Sequence, residues 1–211
     1  MEMLKKYLAA EKHDFAKQTL KQNLNHLTKE KTIFDAGRGW YSTVADEFHL
    51  DTHPVEHIVK NIRKEFPLLE FSCWSTEQIK AYFHHLQARF VTFIYSDWDT
   101  LTTLFAQLRY KYDDIYLNPK KEEVYKNFEI GEHTLVLRPT ISEAPVNKNY
   151  ATIEKILVDL YLEKDRLILI DGSEYDRVFK NVIRPSRINI SKLLRYSKRR
   201  EVKDQILEKI Y

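Results

Sequence analysis

The chain has little of what marks most special classes of protein. One cysteine in 211 residues, Cys73, cannot close an internal disulfide, which points to a reducing compartment. Flanked by Phe71 and Trp74, it reads as a small buried hydrophobe rather than a reactive thiol. Four glycines and six prolines leave no low-complexity linker. No apolar run approaches the ~20 residues that a membrane span needs, and the first dozen residues read as a charged helix rather than a secretory leader. The expectation is a cytoplasmic globular protein. Walker, dinucleotide-binding, nucleophile-elbow and paired Cys-x-x-Cys patterns are also missing, so the sequence asks for no cofactor.

What is present is a large apolar fraction, 43% hydrophobic and 13% aromatic, enough for a sizeable core. The net charge of +3 hides an asymmetry: residues 1–42 carry +3, residues 43–176 carry −8 and residues 177–211 carry +8. Basic ends around an acidic middle suit contact with nucleic acid or an acidic partner, and equally suit ends that dock on the middle.

The stretch from Phe15 to Val44 is the most specific. Leu20, Leu24 and Leu27 recur at i, i+4 and i+7, an apolar helical stripe. The opposite face reads Lys17, Gln18, Lys21, Gln22, Asn25, basic and rich in amides. Two β-prone runs follow, Thr32-Ile33-Phe34 and Trp40 to Val44, joined through Ala36-Gly37-Arg38-Gly39, whose glycines can take positive φ. A helix followed by a hairpin with an arginine at its tip is the outline of a winged helix-turn-helix. There Gln and Asn can pair with adenine in the major groove, and Lys and Arg can reach phosphate or the minor groove. Only one further helix, with Leu4, Tyr7 and Leu8, fits in front of it, so the module is expected to be minimal; Asp14 reads as an N-cap.

Downstream, Val55, Ile58, Val59 and Ile62 stripe a helix. His49, His53 and His57 share its spacing, but Pro54 intervenes and no fourth ligand is near, so solvated histidines are expected and no metal. Strands are expected at Leu68–Trp74, Arg89–Tyr95, Ile115–Leu117 and Thr134–Leu137. Helices should follow Ser75 (a capping box with Gln78), Ser96-Asp97-Trp98-Asp99 and Asn118-Pro119. From Ala151 the pattern turns helical: Ile153, Ile156, Leu157 and Leu160 form a stripe with Glu154, Lys155 and Asp159 on other faces, and Tyr175 to Val182 form another. Asn189 should cap a last segment crowded with Arg184, Arg187, Lys192, Arg195, Lys198, Arg199, Arg200 and Lys203. The expected class is α/β (α+β): a minimal winged helix-turn-helix over 1–45, a small mixed α/β region over 46–150 and a helical basic region over 151–211.

Catalytic patterns fit poorly. Gly172-Ser173 is followed by Asp176 alone, where magnesium-dependent nucleotidyl transfer wants an acidic pair further on. Asp97-Trp98-Asp99 has no preceding Gly-Ser turn and reads as helix capping. Glu201-Val202-Lys203 lies on a basic terminal segment rather than a nuclease-type strand. A non-enzymatic role is the better reading.

Three stretches, LNHLTKEKTIFDAGRGWYS (24–42), ATIEKILVDLY (151–161) and INISKLLRYSKRR (188–200), together resemble AbiEi-like antitoxins of type IV toxin–antitoxin pairs, in that family's order. The resemblance implies a DNA-binding autorepressor that reads inverted repeats in double-stranded DNA beside its own operon. It also implies opposition to a nucleotidyltransferase toxin without a stable complex. On that resemblance Lys17, Gln18, Lys21, Gln22, Asn25 and Arg38 are operator contacts, and Lys192, Arg195, Lys198 and Arg199 a C-terminal working surface. The alternatives are a protein-interaction module with a vestigial winged helix, whose basic tail binds an acidic partner, and a divergent nuclease-like enzyme.

Overall fold

The computed structural model describes residues 17–84 and 89–211, with the backbone alone at 17 and 18. The expected helix around Leu4 and the cap at Asp14 lie outside the described residues, as do the side chains of Lys17 and Gln18.

A mixed six-stranded sheet organises the fold. Its strands are β3 (Phe71–Ser75), β4 (Val91–Ser96), β5 (Ile115–Leu117), β6 (Thr134–Pro139), β7 (Val146–Asn147) and β8 (Tyr150–Ala151), in spatial order β5-β6-β4-β3-β8-β7. β4 runs antiparallel to β3 and parallel to β6. A separate hairpin, β1 (Phe34–Asp35) with β2 (Tyr41–Ser42), follows helix α1 (Lys17–Lys29), so the helix and hairpin read at the N-terminal end are both present.

Alternation along the central strands divides two apolar layers. Cys73, Ile94, Leu135 and Leu137 face helices α2 (His53–Glu65) and α3 (Trp98–Leu108). Trp74, Phe93, Tyr95 and Val136 face α5 (Ile153–Arg166), α6 (Gly172–Ile183), α7 (Ile190–Arg199) and α8 (Lys203–Ile210). Trp74 and Phe93 are cross-strand partners and stack with centroids 4.5 Å apart. Because both faces are covered, the centres of β4 (Phe93, Ile94, Tyr95) and β6 (Leu135, Val136, Leu137) are apolar on both sides. One core joins residues before and after the boundary read at 150/151, with Trp74 and Phe93 packed in the same layer as Leu157 and Leu193.

Several local expectations shift. The capping box at Ser75 is present, Ser75 Oγ accepting from Glu77 N and Gln78 Oε1 accepting from Ser75 N, but it opens a 3-10 helix, Thr76–Tyr82. Helix α4 (Lys121–Asn127) does not begin after Asn118: Asn118 takes φ +45 and its side chain accepts from Arg138, so it is spent as a bend. Asp97 occupies the N-cap position of α3, yet its carboxylate makes no cap bond. The last basic segment is two helices, broken where Glu201 takes φ +60.

The largest correction concerns α5. Glu154, Lys155 and Asp159, read from sequence as lying on the faces beside the apolar stripe, are buried as well, because the sheet lies on one side of this helix and α6 and α7 on the other. The Lys155 ammonium donates to Asp159 Oδ2 at 2.5 Å and sits 3.3 Å from the centre of the Tyr95 ring. Tyr196 OH on α7 donates to Asp159 Oδ1 at 2.9 Å, and Arg200 lies 3.6 Å from the same oxygen. One turn on, Glu163 accepts from Arg138 at 2.6 Å. Burial holds the Lys155 ammonium below its ordinary range, with Asp159 pulling the other way. Burial, with Asp159 nearby, pushes the Tyr95 and Tyr196 phenols up and keeps both protonated.

Breaking a buried ion pair from one side leaves an uncompensated charge. Asp159→Ala is therefore expected to cost about 3–5 kcal/mol in urea unfolding, and the triple change Lys155→Met, Asp159→Leu, Tyr196→Phe distinctly less. Cys73, fully buried with its thiol pushed far up by desolvation, should resist alkylation in the native protein and react once it is unfolded.

Candidate nucleic-acid interface

Helix α1 buries Leu20 and Leu24 and exposes Lys21, Gln22 and Asn25 side by side. It stops because Lys31 takes φ +58, with Lys31 N donating to Thr28 O and Thr32 N to Leu27 O. In the hairpin, Trp40 N donates to Gly37 O at 2.8 Å, closing a tight turn with exposed Arg38 second and Gly39 third at φ +82. That positive φ at the third position is what a type II turn requires.

The hairpin is not a free wing. Gly37, at φ +104, lies so close to the start of α7 that a Cβ there would stand 2.4 Å from Asn189 Oδ1 and 2.6 Å from Ser191 Cβ. Ile190 N, a donor that the first turn of α7 leaves open, donates to Ala36 O at 2.8 Å. Asn189 caps α7 as expected, accepting from Lys192 N, and its own N–H donates to the buried Glu154 of α5.

Arg187 completes the latch. It donates to Asp35 O at 2.5 Å, pairs with Glu47 at 3.2 Å and lies over the Phe34 ring. Its backbone bridges residues 46–48 from both sides. Read from sequence as one more cation of a basic tail, Arg187 is structural. Composition hid this, because nothing local distinguishes it from exposed Arg184.

On α7, Leu193, Leu194, Tyr196 and Ser197 face inward, and Lys192, Arg195, Lys198 and Arg199 face solvent. Arg199 pairs with Glu143 at 2.7 Å; Lys192 and Lys198 side chains have no partner among the described residues. The contact of Gly37 with Ser191 sets Arg38 and Lys192, far apart in sequence, on adjoining backbone at one seam, with Asp35, Glu47 and Glu154 lining the same cleft as Lys192. The cations of this surface attract phosphate, and the amides on α1 add donors and acceptors suited to base edges.

The histidines divide differently from their spacing. His53 and His57 line a groove of about 530 Å³ with His133, Glu77 and Glu132, whereas His49 lines a cleft of about 470 Å³ beside the hairpin latch. Among the described residues no group of three His, Cys, Asp or Glu is arranged to hold a metal ion. Gly172-Ser173 forms the start of α6, capped by Asp171, which accepts from Glu174 N and Ser173 Oγ.

A family model matches residues 19–211, from α1 to the end. The chain belongs to DUF6577, a family of unknown function. No match was found among curated proteins. The DUF6577 match takes in the hairpin, α5 and α7 together, the three elements that meet at the seam.

Replacing Gly37 by alanine would force an L side chain into both positive φ and an occupied space. Gly37→Ala should cost about 1–3 kcal/mol and, with Arg187→Ala, raise amide exchange across residues 34–48 while leaving the sheet protected.

Proposed function

We propose that the chain is a cytoplasmic, non-enzymatic DNA-binding autoregulator of the antitoxin type, opposing a nucleotidyltransferase toxin without a stable complex. The observation that carries this reading is the seam at Gly37 and Ser191, which puts the Arg38 turn beside the Lys192 end of the α7 stripe. α1 supplies Gln22 and Asn25 for base edges, and Lys21, Arg38, Lys192, Arg195 and Lys198 supply phosphate contacts. On this footprint the C-terminal basic surface helps hold the operator, a role the resemblance alone did not give it. Among the described residues no helix is long and apolar enough to cross a membrane.

Five phosphate contacts give a log–log salt slope of about −4 to −5 on duplex DNA. Lys192→Ala with Arg195→Ala and Lys198→Ala should flatten it by about 3 across all sequences. Gln22→Ala with Asn25→Ala should leave the slope and erode preference for the inverted repeat upstream of the gene. A wild-type slope near zero in a fluorescence titration sinks the reading and favours the protein-interaction role.

A further inference from the structure

The loop between β6 and β7 sets one carboxylate against the basic face of α7. Pro139 and Pro145 bound the loop, Thr140 N donates to Ser96 O at 2.8 Å, and Thr152 N donates to Pro145 O at 3.0 Å. Ile141 and Ala144 pack on the core layer beneath, so the loop is held at both ends and along its base. Its turn exposes Ser142 and Glu143. Arg199 Nη2 donates to Glu143 Oε1 at 2.7 Å. That carboxyl is held below its usual range chiefly by Arg199 and more weakly by Arg195, one turn earlier on α7.

Stability does not explain a glutamate at this position. Glu143 takes φ +60, left-handed backbone that suits glycine or asparagine and is unfavourable for a longer side chain. The ion pair it gains stands half open to solvent, with side chains 48% exposed at Glu143 and 49% at Arg199, and pairs so exposed contribute little. What the carboxylate does is neutralise. Lys192, Arg195, Lys198 and Arg199 form one solvent-facing stripe, and among the described residues its only ion pair is Arg199 with Glu143. A phosphodiester oxygen approaching Arg195 and Arg199 therefore meets a carboxylate already seated where it would bind.

We propose that Arg195 and Arg199 form a seat for a backbone phosphate and that Glu143 occupies it as a built-in competitor. This rests on the DNA-binding reading of α7 and deepens it. Arg195 reaches phosphate beside the carboxylate, and Arg199 joins only when the carboxylate gives way. Phosphates carry no sequence information, so the competition weakens every duplex alike, while preference stays with Gln22 and Asn25. A duplex that adds no base-edge contacts is then released first.

Fluorescence titration of the full chain with two labelled duplexes, the upstream inverted repeat and a scrambled one, tests it. One more phosphate contact steepens the log–log salt slope by about 0.9 and tightens binding about eightfold at about 0.1 M salt. Glu143→Gln should show both changes on both duplexes. Glu143→Gly should do the same, which separates loss of the carboxylate from any donation by the new amide. Glu132→Gln, an equal change of net charge at the other end of β6, should move neither quantity. In an Arg199→Gln background the gain from Glu143→Gln should fall away. A Glu143→Gln chain that binds as wild type, a gain matched by Glu132→Gln, or a gain that survives the loss of Arg199 overturns the proposal. The two readings separate: a wild type with the expected slope whose binding is indifferent to Glu143 sinks the competitor alone, and a slope near zero in wild type and Glu143→Gln alike sinks both.

Discussion

The buried pair Lys155–Asp159 is the constraint on which the rest depends. A helix surrounded on all sides must either be apolar all round or carry polar groups that satisfy one another, and α5 takes the second course. Asp159 binds Lys155 from its own helix and Tyr196 from α7, so the register of α7 against α5 is specified by hydrogen bonds as well as by Leu193 and Leu194. With that register fixed, the opposite side of α7 has no choice but to face solvent with its cations. A buried ion pair is costly relative to an apolar isostere; what it supplies here is a single arrangement of two helices.

A second layer of specification runs from α5 to the N-terminal hairpin. Glu154, one turn before Asp159, accepts from the cap residue of α7, and the same helix start donates to the Ala36 carbonyl through Ile190 N. The hairpin thus inherits its place from the charge network through two hydrogen bonds and the absence of one methyl group at Gly37. Surface electrostatics and core chemistry are connected by a short, nameable chain of contacts.

Much of this was legible in the sequence where period and turn chemistry dominate. The strand at 115–117, the apolar face of α2, the Ser75 box and the Asn189 cap follow from local rules that the fold does not override. Exposure of Lys21, Gln22, Asn25, Arg38 and the four α7 cations was legible too, because the helical residues lie outside the apolar stripes of α1 and α7 and Arg38 lies at the hairpin tip. The rest depended on distant partners. Nothing near Lys155 announces that Tyr95 and Tyr196 enclose it, and Arg187 looks like its neighbours until Asp35 and Glu47 are placed beside it. Asn118-Pro119 reads as a helix start, and only the reach of Arg138 from the next strand turns it into a bend.

The latch between Arg187 and Asp35 spans 152 residues of chain. A contact of that separation closes late, since its loop entropy is paid only once the sheet and α5 have shortened the distance. On a ribosome, α1 and the hairpin emerge before α7 and wait for it. The cationic seam therefore comes into being only once α7 has been made, and a product truncated before α7 presents the hairpin half of the surface alone.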